Sequence, residues 1–327
     1  MKYSILFALI CCILFTLFVI HSTRWNQLFF SKVDKIKDMN VVVSGASSGI
    51  GLALVKELLR IKANVVCLMR RSEHAEENYN MLKESYGDSI KWIEVDFKSL
   101  KSIQNAVESI KTTYKDGVDV LFNNAGVSNT ATVLSEDGFV EQIQSNCISH
   151  VALTEGILPY VEKRKGVIIN HSSLSYTIPP ATYNPIFFKK YTNVNEIYKQ
   201  GNSFYNKFFM SQQLYQQSKL SLILYSHSLQ SRLKDKHVRV ISFHPGICKT
   251  NLFKCSILPR LVVEIIDAFS AHPRDIVPYL VESIVSDLKV DQHVIYGPTH
   301  IHVNPNMVNC THVQQFHDDV VSQFIAT

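Results

Sequence analysis

From residue 40 onward, short apolar runs alternate with stretches of helical periodicity. Asn40-Val41-Val42-Val43 is a continuous apolar run, and Leu52 to Leu59 spaces its apolar residues along one helix face. The pattern then predicts strands at 65–69, 91–95, 118–122, 166–170 and 238–243. Between and after them it predicts helices at 74–86, 99–115, 136–163, 211–234 and 274–288. A last short strand at 293–296 is closed by Gly297-Pro298. Such alternation implies an α/β fold, a single doubly wound parallel-sheet (Rossmann-like) domain over 39–300, with right-handed crossovers.

The chain ahead of this domain has a different character. Tyr3 to Ile20 is apolar apart from Ser4 and Thr16. As a helix it would reach about 27 Å at about 1.5 Å per residue, close to the thickness of a hydrocarbon core. Residues 1–22 therefore read as an N-terminal transmembrane helix, and 23–38 as a polar linker. The competing reading is a cleaved signal peptide, but the apolar run exceeds the usual core of about 7–15 residues and no A-x-A site follows. Arg24, Lys32, Lys35 and Lys37 outweigh Lys2 on the other flank, which puts the domain in the cytosol as a single-pass membrane protein, with the endoplasmic reticulum as the expected membrane. Two sequons, Asn170-His171-Ser172 and Asn309-Cys310-Thr311, point the other way, but the first falls in an expected buried strand.

Composition narrows the function classes. The 327 residues carry 33 basic and 28 acidic side chains, a net charge of +5 with no dense basic block, which disfavours a nucleic-acid partner. The seven cysteines include no C-x-x-C pair, so no metal site is expected, and their scatter suits a reducing compartment.

The first strand runs into Ser44-Gly45-Ala46-Ser47-Ser48-Gly49-Ile50-Gly51 and then a helix. Glycines let the backbone turn tightly, and the free N–H groups of the new helix face an anion. Ligands in such sheets sit beyond the carboxyl ends of the strands. Asp96 ends the third strand, beside Phe97, where it could bond an adenine amino group. Asn123-Asn124-Ala125-Gly126 ends the fourth. Where an acidic residue would bond the ribose 2′-OH of NAD, this chain has Met69-Arg70-Arg71. A guanidinium suits a 2′-phosphate, so NADP(H) is expected over NAD.

Tyr215-Gln216-Gln217-Ser218-Lys219 puts Tyr and Lys on one helix face. A nearby ammonium lowers the pKa of a phenol and fits it for proton exchange with an alcohol or carbonyl. Ser172-Ser173 ends the fifth strand, where either hydroxyl could hold a substrate oxygen; Ser173 is preferred. With these motifs in this order the chain resembles the short-chain dehydrogenase/reductase family over about residues 39–300. The resemblance implies that Ser173 polarises the carbonyl, Tyr215 is the acid/base, Lys219 assists it and holds the ribose, and Asn146 completes a water-linked relay. It also implies a cofactor lined by Gly45, Ser47, Ser48, Gly49, Ile50, Gly51, Asn123, Ala125 and Gly126. His244-Pro245-Gly246-Ile247-Cys248-Lys249-Thr250 matches the family's Pro-Gly segment over the nicotinamide, with Pro245, Gly246, Ile247 and Thr250 as contacts.

Ser173 and Tyr215 are farther apart in sequence than in compact members of that family. The insertion, 179–210, holds nine aromatics: Tyr183, Phe187, Phe188, Tyr191, Tyr198, Phe204, Tyr205, Phe208 and Phe209. They read as an extra packed helical pair or as an apolar lid that also touches membrane lipid. Anchor, insertion and Arg together resemble the retinol and steroid dehydrogenase branch, which implies a lipophilic substrate such as a retinoid, steroid or fatty aldehyde, and a possible homo-oligomer. The alternatives are a 3-ketoacyl or sterol-ketone reductase and a non-catalytic membrane-anchored nucleotide-binding scaffold. Residues 301–327 read as a substrate-side flap or a partly disordered tail.

Overall fold

The computed structural model describes residues 33–128, 132–177, 182–200, 207–246, 248–249, 270–286, 294–298, 301–303 and 308–325. The expected anchor and residues 23–32 of its linker lie outside these residues, while Val33–Ile36 of the linker form a 3₁₀ turn with Ile36 buried. Among the described residues no helix is long and apolar enough to cross a membrane.

Strands β1 (Asn40–Ser44), β2 (Asn64–Met69), β3 (Ile90–Glu94), β4 (Val120–Asn123), β5 (Val167–His171) and β6 (Arg239–Phe243) form one parallel sheet in the order β3-β2-β1-β4-β5-β6. The order reverses between β1 and β4, so the carboxyl ends of these two strands diverge and leave a crevice. Both faces of the sheet are covered, which explains apolar runs in place of strict alternation. Val41, Val43, Val120, Phe122 and Ile169 pack on one side, and Val42, Leu121, Ile168 and Val240 on the other.

Helix α1 (Gly49–Arg60) covers the first side. Helix α2 (Glu73–Tyr86) starts where Ser72 accepts the Ala75 N–H, and stops at Gly87, whose φ of 55 is a left-handed turn. Helix α3 (Leu100–Thr113) is capped by Ser99. The single long helix expected at 136–163 is instead three pieces: α4 (Glu141–Ile143), a π-turn (Gln144–Ile148) and α5 (Ser149–Arg164). The extra residue of a π-turn bulges the backbone, and such turns gather at functional sites. After short α6 (Asn195–Gln200) comes α7 (Lys207–Arg232), which carries the Tyr215/Lys219 face, and then α8 (Pro273–Val285).

Two elements depart from the sequence reading, and for a third, the insertion, the packed reading holds over the lid. Strand β7 (Val294–Ile295) pairs antiparallel with β8 (Ile301–His302), and only Tyr296 bridges to Phe243 of the main sheet. The tail is ordered as α9 (Cys310–Asp319), capped by Asn309, in place of a flap or a disordered end. Tyr183, Phe187, Phe188 and Tyr191 are buried in the core and are not a lid. Phe316 of α9 meets Tyr183 and Phe188 edge-on at 5.7 and 5.8 Å, and the Tyr183 hydroxyl donates to Asp319. The side chains of Tyr198, Phe204, Tyr205, Phe208 and Phe209 lie outside the described residues.

Phe316 is fully buried. Phe316→Ala should therefore cost about 3–5 kcal/mol in denaturant unfolding, the usual range for a buried aromatic. A loss below about 1 kcal/mol would show that the tail does not belong to the cooperative core.

Candidate active site

A cleft of about 590 Å³ opens at the carboxyl ends of β1, β4 and β5. Its floor is the glycine turn. Gly45 and Gly49 have φ of +66 and +55, the left-handed region that a Cβ disfavours. Gly51 is a packing glycine behind the turn, where a Cβ would come within 2.2 Å of the Gly45 carbonyl oxygen. Ser48 begins α1 without a side-chain cap, so the first N–H groups of the helix are left for a ligand. This cradle fits a dinucleotide pyrophosphate: glycine-lined, open to Ser47, Ser48, Gly49 and Ile50, and topped by a helix N-terminus.

One hydroxyl ties this turn to the next strand. Ser44 Oγ accepts from the N–H groups of Asn124 and Ala125 at 2.8 and 2.9 Å, and lies 3.1 Å from His150 Nε2. Asn124 returns the contact, its Nδ2 donating to the Ser44 carbonyl at 2.8 Å. The two asparagines thus differ from the sequence reading. Asn123, expected at the cofactor, is fully buried and donates to Thr154 and Asn170 at 2.8 Å. Asn124 is the one that lines the cleft, with Ala125 and Gly126. Alternation along a strand puts neighbours on opposite faces, but only the end of β4 determines which asparagine faces which way.

Arg70, Arg71, Asp96 and Phe97 line the far end, as the sequence suggests. The two arginines are not equivalent. Arg71 bonds Glu94 and Glu76 at 3.1 and 2.9 Å and stacks over the Trp92 ring. Asp96 Oδ1 accepts the Lys98 N–H, closing its own turn.

Tyr215, Lys219, Ser172 and Ser173 line the near end. Ser172 Oγ donates to the Lys219 carbonyl at 2.9 Å and is buried, so its hydroxyl is committed to the fold. Ser173 favours a lower pKa for the Tyr215 phenol, but burial outweighs it and raises Tyr215 to about 12. That reverses the expected lowering. The ammonium that was to lower it donates to the His171 carbonyl at 2.8 Å and lies 5.8 Å from the Tyr215 ring centre. Burial also brings Lys219 down to about 8.

Asn146 sits in the π-turn, behind the cleft wall and fully buried. Its Oδ1 accepts the Val127 N–H at 2.7 Å, while its Nδ2 donates to the Val127 carbonyl and to Ser218 Oγ. The turn after β4 is thereby joined to the helix of Tyr215 and Lys219. Pro245 and Gly246 line the cleft, while Ile247 and Thr250 lie outside the described residues. The sequence reading missed Ser44 as a contact and His171 altogether; a hydroxyl ending the first strand was the available signal for the former.

The sequence profile described as short chain dehydrogenase matches residues 39–185. The chain is 32% identical over 235 residues to retinol dehydrogenase 14 of Mus musculus, covering 68% of this chain and 64% of that one. It is 29% identical to the chloroplastic short-chain dehydrogenase TIC 32 A of Brassica napus, over 71% of each. Among solved structures, the L-sorbose reductase of Gluconobacter frateurii, complexed with NADPH and L-sorbose, aligns at a TM-score of 0.57 with 22% identity, over 77% of this chain and 90% of that one. Residues 39–185 thus match the short-chain dehydrogenase family, and the chain is an oxidoreductase of alcohols or carbonyls.

Ser44→Ala would leave two half-buried N–H groups, those of Asn124 and Ala125, without their acceptor. Stability should fall by about 1–3 kcal/mol in denaturant unfolding, with Ser44→Thr close to the parent. Equal stability of the alanine variant would remove Ser44 from this role.

Proposed function

We propose that the protein interconverts a lipophilic alcohol and its carbonyl with NADP(H). The observation that carries this reading is the convergence of Ser173, Tyr215 and Lys219 on one glycine-floored cleft, with Lys219 one helical turn on from Tyr215. When bound, the dinucleotide would supply or accept the hydride; the protein's part is the proton and the alignment. Tyr215 gives its phenolic proton to the carbonyl oxygen in reduction, and its phenolate takes it from the alcohol in oxidation. Ser173 holds the same oxygen and donates to it as negative charge develops. Asn146 ties the helix of Tyr215 to the turn after β4, and Lys219 would hold the ribose of a bound dinucleotide.

The choice of NADP(H) rests on Arg70 and Arg71, both at the rim beyond β2. Because Arg71 is already engaged with Glu76 and Glu94, Arg70 is the stronger candidate for a 2′-phosphate. The sorbose reductase, whose description names NADPH, is consistent with this. A lipophilic substrate is supported by the retinol dehydrogenase among the relatives and by the apolar stretch from Tyr3 to Ile20. That stretch is also the basis for a single-pass, cytosol-facing location in the endoplasmic reticulum.

Detergent-solubilised protein should reduce all-trans-retinal, a sterol ketone or a long-chain aldehyde with NADPH in preference to NADH. Arg70→Ala should reduce that preference by about tenfold or more, a charge-assisted contact's worth, and Arg71→Ala by less. A preference for NADH in the parent would overturn the arginine argument.

Proton transfer gives a second test. Oxidation needs the phenolate, so its rate should climb with pH towards the Tyr215 value of about 12, while reduction should decline over the same range. Tyr215→Phe should lose about 10²–10⁴-fold in both directions. Turnover that survives in Tyr215→Phe would assign the proton to another group.

A further inference from the structure

The strongest unassigned feature is His171, the last residue of β5. Its imidazole is wedged between two rings, stacked on Phe122 at 6.1 Å and edge-on to Phe243 at 6.2 Å. Its Nδ1 lies 2.8 Å from Asn124 Oδ1. Its own carbonyl accepts the Lys219 ammonium at 2.8 Å. One residue therefore touches both the bracket of the glycine turn and the lysine of the catalytic face.

The direction of the first bond follows from its neighbours. Asn124 Nδ2 points at two backbone carbonyls, those of Ser44 and Gly45, at 2.8 and 3.4 Å. Carbonyl oxygens only accept, so the amide nitrogen must face them. Asn124 Oδ1 is then turned to His171 and can only accept. Nδ1 of His171 must carry its proton. The remaining nitrogen is unprotonated, in keeping with burial and the nearby Lys219 charge holding the imidazole well below its usual range. Without His171, Asn124 Oδ1 would lose its donor, and the amide would be held at its nitrogen end alone. Both Gly45 and Gly51 pack within 3 Å of Asn124 Nδ2 when a Cβ is built on them, so this amide shapes the floor of the cleft.

We propose that His171, in its Nδ1–H tautomer, is a positioning residue that locks Asn124 and with it the glycine turn, coupling the cofactor cradle to the strand that carries the substrate serine. This rests on the reading of the cleft as a dinucleotide site.

The test measures NADPH dissociation constants by fluorescence on the full chain in detergent, with the melting temperature of each unliganded variant. His171→Val should weaken NADPH about tenfold, the equivalent of one hydrogen bond. His171→Asn places an amide N–H where Nδ1–H stood and should stay within about twofold, whereas His171→Gln, which places it at Nε2, should weaken binding like valine. The double variant His171→Val with Asn124→Ala should be no weaker than Asn124→Ala alone. A purely structural role would instead rank the variants by melting temperature with no rescue by asparagine. Should His171→Val fail to fold, the asparagine and glutamine pair decides. Independently of any ligand, long-range proton–nitrogen spectra, assigned by loss of the signal in His171→Asn, should show the Nδ1–H tautomer; an Nε2–H tautomer overturns the proposal. Equal NADPH affinity in parent and His171→Gln overturns it too. A parent protein that binds no NADPH overturns the dinucleotide reading itself, and with it the proposal, while the tautomer still reports on the bond.

Discussion

Where the strand order reverses, the chain leaves β1 and β4 in different directions, and the polar groups just past their last paired residues lose the neighbours that a regular ladder would give them. Every such group must find a partner, since an orphan costs about 1–3 kcal/mol. Ser44 supplies it. Its single hydroxyl takes the N–H groups of two residues across the gap, and the Asn124 side chain closes the circuit on the Ser44 carbonyl. The tight glycine turn, its approach to Ala125 and the open helix end of α1 all hang on that circuit. A ligand cradle and a satisfied sheet are here the same set of bonds.

The same demand extends deeper along the sheet. Asn123 and Asn170 face each other across β4 and β5, and Thr154 and Ser226 on the flanking helices accept from their amide nitrogens. This buried polar seam fixes how α5 and α7 sit on the sheet, because a shift of either helix would break a bond that water cannot replace. It also accounts for the sequon at Asn170: that amide is consumed by the core. The π-turn belongs to the same logic. By bulging the chain at Gln144–Ile148 it turns Asn146 inwards, onto Val127 and Ser218, and so joins the β4 turn to the helix of Tyr215. Burial then acts on the two titratable groups with opposite sign, raising the phenol and lowering the ammonium, so that two groups with similar pKa values in water are driven apart, each towards its neutral form.

Much of this was legible in the sequence, and the limits are physical. Apolar period and glycine spacing gave the strands, the crossovers and the turn, because those signals are local. The i, i+4 spacing put Tyr215 and Lys219 on one face for the same reason. Partners were not legible. Arg70 and Arg71 read alike until Glu94 and Glu76 are seen to hold one of them, and Asn123 and Asn124 read alike until the strand end turns one inwards. The helix expected at 136–163 had sound periodicity, but a π-turn changes one hydrogen-bond register and leaves composition untouched. The phenol's pKa was misjudged because sequence spacing reveals the neighbouring charge and says nothing of burial.

The insertion is the part for which the sequence left two readings open. Aromatic content alone suits a lid and a core equally. What separates them is the tail, distant in sequence, whose Phe316 gives Tyr183 and Phe188 an apolar face to bury. The insertion is held at its other end by Gln217, within the Tyr215–Lys219 turn. Its Oε1 accepts the Asn184 N–H and its Nε2 donates to the Thr182 carbonyl. The amide therefore uses both ends, as Asn124 does across the cleft. An inserted segment fixed on one side to the catalytic helix and on the other to α9 cannot move as an independent flap over residues 182–191. Whatever adapts to a substrate must lie beyond that fixed base, and the base itself transmits the position of α9 to the residues flanking Tyr215.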